Sequence, residues 1–260
     1  MLPPELTRAE ILAEVVERPR HAYVPLPDLQ VIERPGWMQL VTPSFRQGGF
    51  NEVAYAVLDP AEADAVIDRT VAQYRALGIK FRWTVGPDSA PPDLGDRLAA
   101  RGLLKSVSCG MARATTPELP AVGDAVDVRV TEVDATTVDR YTHAMAEGWE
   151  VEPGPLAIAH AAALSPTART HHLFLAEIAG AAAGVASYVR FPRSAYLLGG
   201  VVLPAYRRRG VYRALVGTRL AHARAQGIAL ATSHAREVTS APILGALGFQ
   251  TLCRLAAYSG

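Results

Sequence analysis

Cysteine is nearly absent from this chain, with two in 260 residues, Cys109 and Cys253. A disulfide scaffold is excluded, and neither thiol has a second cysteine or a histidine at zinc-like spacing. Both fall in strand-like stretches and read as buried, inert residues, and no metal site is expected. Long apolar runs are missing too. No stretch approaches the ~20 residues that span a bilayer, and the opening MLPPELTRAEILAEVVERPR has no basic leader followed by an apolar segment. Neither sign of charge dominates: 26 Lys and Arg stand against 25 Asp and Glu, a formal net charge of +1. Such a balance gives no broad electrostatic case for nucleic acid or a membrane as partner. The expectation from these absences is a cytoplasmic protein.

What is present fills a core: half of the residues are hydrophobic and 20% are charged, a composition that argues against disorder. The length suits one large domain or two modest ones. Thr7-Arg8-Ala9-Glu10 has the form of a helix capping box. Two strands follow, Trp37 to Phe45 and Asn51 to Leu58, around Gln47-Gly48-Gly49. Asp59-Pro60-Ala61-Glu62 starts a helix that runs to about Leu77 and stops at Gly78. Then come a strand from Lys80, a helix from Pro92 to Arg101 ended by Gly102, and a strand from Leu103.

The segment Ala114 to Gly123 is rich in Pro, Thr and Gly, as linkers are. It divides the chain into domains 1–118 and 124–260. Beyond it the pattern predicts a strand from Val126, helices over Asp134 to Glu147 and Pro155 to Ala163, and a hairpin of Leu173 to Ile178 with Ala183 to Arg190 across Ala179-Gly180. A strand over Ala195 to Val202 leads into a helix over Gly210 to Gln226. A strand from Ile228 to Ser233, a helix from Thr239 to Leu247 and a last strand from Phe249 complete the order. The halves echo each other: Leu98-Ala-Ala-Arg-Gly102-Leu103 parallels Leu244-Gly-Ala-Leu-Gly248-Phe249, which points to a duplicated α/β unit.

The step from strand to helix at 202–212 carries chemistry. Pro204 ends pairing, Arg207-Arg208-Arg209 supplies charge, and Gly210 opens the helix without a Cβ. The first N–H groups of a helix have no partner inside it, and they sit at the positive end of its dipole. Cations are poorly placed there unless an anion is near. The physical reading is a phosphate site at a helix N-terminus.

Val202-x-Pro204-x-Tyr206-Arg207-x-x-Gly210-x-Tyr212 resembles the acetyl-CoA signature of the GNAT superfamily, [RQ]-x-x-G-x-[GA] after a strand. Arg207 and Gly210 match; Tyr212 stands where Gly or Ala is usual. Ser240 to Phe249 resembles the family's closing helix and its Leu-Gly-Phe ending. The resemblance implies an α/β fold with a central mixed sheet flanked by helices in each of two GNAT-like domains. It also implies an N-acyltransferase using acetyl-CoA as co-substrate on a primary amine of a small molecule, amino-acid derivative or peptide.

In that reading Val201, Val202, Arg207, Arg208, Arg209, Gly210, Val211, Tyr212 and Arg213 bind the coenzyme. Glu147, Trp149, Glu152 and Tyr188 line the acceptor pocket. His234, Glu150 and Tyr212 are the catalytic candidates, because the family's usual tyrosine acid is replaced by Leu244. The N-terminal half is expected to hold no CoA, since Asp59 and Glu62 would repel a diphosphate at its helix start. A homodimer is compatible with the sequence. Two further readings stay open: a non-catalytic acyl-CoA-binding protein, and an aminoacyl or peptidyl transferase of related fold.

Overall fold

The computed structural model describes residues 2–47, 49–119, 128–165 and 170–260. The last four residues of the expected seam, 120–123, lie outside them. The chain folds into two compact units that are not consecutive stretches. One comprises Met1–Val24, Met111–His234 and Ile243–Gln250; the other comprises Pro25–Gly110, Ala235–Pro242 and Thr251–Gly260. These units differ from the 1–118 and 124–260 division, because the last strand belongs with the first half and the first helix with the second.

In the second unit, β1 (Gln30–Arg34), β2 (Trp37–Val41), β3 (Glu52–Ala56) and β4 (Arg82–Val85) stand in that order, followed by β11 (Gln250–Ser259) and then β5 (Leu104–Ala114). β3 runs parallel to β4, and β11 pairs antiparallel with β4 through Ala256↔Val85 and Tyr258↔Trp83. The first of these strands had no expectation from sequence. Its partner is two residues away across Pro35-Gly36, with Gly36 at φ +72°. Helix α2 (Ala63–Ala76) begins four residues after Asp59, whose carboxylate accepts from the Ala61 N–H at 2.8 Å in a turn ahead of the helix. It buries Ile67, Val71 and Tyr74 beside Trp83 and Leu98, the latter from α3 (Leu94–Ala100).

The first unit carries the order β10 (Leu230–Arg236), β9 (Ser194–Val202), β8 (Ala181–Arg190), β7 (His171–Ile178), β6 (Val128–Glu132), with the end of β5 on the far side of β10. β6 to β9 are antiparallel neighbours, while β9 and β10 are parallel. The β7–β8 turn is Ala179-Gly180, both at positive φ, as a two-residue hairpin requires. Thr115, just past β5, donates its N–H to Ala229 O and its hydroxyl to Ile228 O, which fixes that strand at the foot of β10.

Helix α1 (Arg8–Val16) carries the expected capping box, with Glu10 N–H on Thr7 Oγ1 and Thr7 N–H on Glu10 Oε2. It packs in this unit: the buried Glu14 accepts from Ser194 Oγ at 2.6 Å and Arg193 bridges to Glu10. α4 (Val138–Trp149) lies against β7, β8 and β9, and α5 (Pro153–Ala163) packs on α4. Helix α6 (Val211–Ala225) contacts β6 to β9, and α7 (Ser240–Ala246) precedes the last strand. No helix among the described residues is long and apolar enough to cross a membrane. Cys109 is buried in β5, and burial raises the pKa of the Cys253 thiol in β11.

One buried group gives this unit an acid limit. His160 on α5 is 7% exposed, its Nδ1 lies 2.8 Å from Thr142 Oγ1, and burial lowers its pKa from 6.5 to about 4. The folded value is depressed, so the neutral ring is the native form. The unfolded chain binds a proton that the folded chain refuses between the two values. Stability is therefore full above pH ~6.5 and falls toward pH 4 by up to about 3 kcal/mol. Denaturant midpoints from pH 7 to 4 should show that slope, and His160→Gln should flatten it. An equal slope in the variant would assign the effect elsewhere.

Candidate functional site

Strands β9 and β10 pair only as far as Leu197↔Ser233, where Ser233 Oγ also donates to Leu197 O at 2.9 Å. Both strands continue past that point, β9 to Val202 and β10 to Arg236. Among the described residues, the edge of β9 from Leu198 to Val202 thus has no strand on its β10 side. A bulge sits within it: Val185↔Val201 and Ser187↔Leu198 leave an extra residue on β9, and Gly199 takes φ +63°. Backbone amides and carbonyls on an open edge accept an extended ligand as an added strand does.

The open edge leads directly to the basic loop. Pro204–Tyr206 form one 3₁₀ turn, Arg208 is left-handed at φ +63°, and Gly210 is left-handed at φ +82° at the N-cap of α6. A Cβ on Gly210 would meet no atom within 4 Å, so its backbone faces open space. The first rung of the helix is Ala214 N–H to Gly210 O. The amides of Val211 and Tyr212 precede it, where a helix offers no carbonyl four residues back. All three arginines are exposed. Arg207 Nε reaches back toward Val202 O at 3.5 Å, and the Arg209 guanidinium lies 5.5 Å over the Tyr206 ring. The loop combines amides that the helix itself leaves without a carbonyl, the dipole's positive end and exposed cations, which suits a diphosphate.

Tyr212 does not face that cradle. Its ring lies on Gly200 of β9, with Cε2 3.2 Å from where a Cβ would be, and burial raises its pKa. Nearby, Arg219 of α6 is 2% exposed. It donates to Leu215 O, to Ser187 O at 2.9 Å and to Leu198 O at 3.4 Å, and burial pushes its pKa down to about 10. It props the bulge from below. Sequence reading missed it because an arginine amid a helix ordinarily reads as surface.

The acceptor candidates divide. Glu147, Trp149, Glu150 and Glu152 are exposed around the end of α4, where Glu150 is left-handed at φ +55°. This turn sits against the open strand: a Cβ on Gly148 would come within 2.5 Å of Val201 Cγ2. Tyr188 is a correction. It is fully buried, its hydroxyl 2.7 Å from His222 Nδ1 beneath α6, so it lines no acceptor pocket.

His234 is also corrected in placement. It lies within β10 rather than after it, one residue beyond the last pair with β9. Its Nε2 is 2.7 Å from Val15 O, and its ring meets Tyr196 edge-on at 5.2 Å. A carbonyl only accepts, so Nε2 carries the hydrogen and Nδ1 is the basic nitrogen. Leu244 is 1% exposed and packs in the core.

Comparison with known proteins agrees with this geometry. Residues 135–249 match the sequence model of the acetyltransferase (GNAT) family. A GCN5-related N-acetyltransferase from Kribbella flavida is structurally similar, with TM-score 0.68 at 14% identity over 99% of this chain and 96% of that one. A GCN5-related N-acetyltransferase from Sphaerobacter thermophilus gives 0.61 at 13% identity, over 100% and 96%. A tandem GNAT protein from the clavulanic acid biosynthesis pathway gives 0.58 at 13% identity, also over 100% and 96%. No curated protein sequence matches.

Proposed function

From the premise that residues 135–249 form a domain of the acetyltransferase (GNAT) family in a chain with the fold of tandem GNAT proteins, we propose that this protein is an N-acyltransferase. It moves an acetyl group from acetyl-CoA to a primary amine of a small molecule, amino-acid derivative or peptide. The observation that carries this reading is the open edge of β9 running into the Gly210 cradle. Pantetheine fits the edge from Leu198 to Val202, and the diphosphate fits the amides at the start of α6, supported by Arg207, Arg208, Arg209 and Arg213. In the reaction the amine nitrogen bonds the thioester carbonyl carbon, the carbon–sulfur bond breaks, the amine loses a proton and the thiolate gains one.

His234 is the residue we place as general base, acting through Nδ1 at the point where the strands part. The exposed glutamates after α4 attract a cationic acceptor, and Glu150 is the second candidate for the base. Tyr212, whose pKa burial raises further, is the candidate acid. The repeat division 1–118 and 124–260 remains our proposal for how the chain arose, with the first repeat lacking the coenzyme site.

The buried Leu244 favours one alternative, an acyl-CoA-binding protein without turnover. Free-thiol release from acetyl-CoA across a panel of amines separates the two. Amine-dependent release supports the transferase; intact CoA binding with no release from any amine supports the binding protein.

A further inference from the structure

Three polar side chains converge away from the open strand edge, on the face of β6 to β8 that α6 covers. Glu132 ends β6, His172 is the second residue of β7, and His222 lies in the last turn of α6. One ligand-capable atom from each lies within 4.8 Å of the other two. His172 Nδ1 is 2.7 Å from Glu132 Oε1, and His222 Nε2 is 3.2 Å from Glu132 Oε2. We propose that Glu132, His172 and His222 form a binding site for a divalent transition metal, zinc being the best match to the donors.

The donor set is the first argument. Two imidazoles and one carboxylate at ~2.0–2.2 Å from a common ion suit zinc, with a fourth position left for water. Ligands at that radius stand roughly 3.3 Å apart in a tetrahedron. The His222–Glu132 separation already meets this. Glu132 must withdraw a few tenths of an ångström from His172, and the His172 and His222 nitrogens, within 4.8 Å of each other, must close toward that spacing; the Glu132 side chain is 45% exposed and able to move.

The surroundings are the second argument. The ring nitrogen of His222 that faces away from Glu132, Nδ1, meets the hydroxyl of the fully buried Tyr188 at 2.7 Å. That is the arrangement by which an outer partner sets a ligand histidine's tautomer and orientation. His172 is clamped by stacking on Tyr188, at 4.6 Å and 20° between planes.

The position is the third. His222 is at the C-terminal end of α6, where the helix dipole favours a cation. A metal there would tie β6, β7 and the end of α6 together while leaving the N-terminus of α6 free for the anion. Arg190 lies near His172 and its charge opposes the ion.

The test uses the full chain stripped with a chelator and titrated with zinc chloride by calorimetry, and with cobalt chloride by visible absorption. Binding of one equivalent, four-coordinate cobalt absorption and a higher melting temperature with metal are expected. Glu132→Gln and His222→Gln should each weaken binding at least ~100-fold, and Tyr188→Phe ~10–100-fold, as for lost outer partners. Melting in chelator reports whether each variant still folds. Absence of stoichiometric binding by the folded parent chain overturns the proposal, as does unchanged affinity in folded Glu132→Gln and His222→Gln.

Discussion

A chain carrying Arg207→Glu with Gly210→Glu is expected to lose at least ~100-fold in coenzyme A affinity, about 2.7 kcal/mol. Three effects act together. One cation of the loop becomes an anion. A second carboxylate enters at the positive end of the α6 dipole, where it competes with the diphosphate for the same amides. A side chain is placed on the residue whose backbone now faces open space at φ +82°. The left-handed backbone costs the new residue about 1–2 kcal/mol, but a Cβ there meets no neighbour within 4 Å, so the fold should hold. Calorimetric titration with coenzyme A, beside a melting curve, checks both halves. Wild-type affinity in the folded double variant would remove the α6 N-terminus from the binding site.

His234→Gln is expected to lower kcat by ~10²–10⁴-fold, the range for loss of a general base, with KM for acetyl-CoA within a few-fold. Glutamine is chosen because its amide can still donate to Val15 O, where His234 Nε2 now sits at 2.7 Å. The hydrogen bond to α1 is kept and only the basic nitrogen is lost. A variant that turns over within threefold of the parent would move the base to Glu150 or to solvent.

Much of this site could be read along the chain because its parts are contiguous. Val201 to Arg213 is one stretch, and its strand, glycine and helix each follow from local rules: Pro204 ends pairing, Gly210 takes a left-handed conformation that costs other residues energy, and the amphipathic run after it is a helix. The capping box at Thr7 and the Ala179-Gly180 hairpin are local in the same sense, and both formed as expected. Tyr188 failed because a tyrosine in an alternating strand reads the same on either face. Only the packing of α6 decided that it points at His222.

Sequence by itself determined most of the strands and helices and the step from strand through Gly210 into helix at 202–212. Backbone propensity, capping and local charge settle such features within a dozen residues. The tertiary structure decided which segments share a unit. It set β11 beside β4, brought the end of β5 to β10, and laid α1 so that Val15 orients His234. It also gathered Glu132, His172 and His222, 40 and 50 residues apart in the chain. Strand pairing satisfies the backbone equally well with any strand of suitable length. The choice of partner is therefore made by how whole faces pack, which no local stretch of residues encodes.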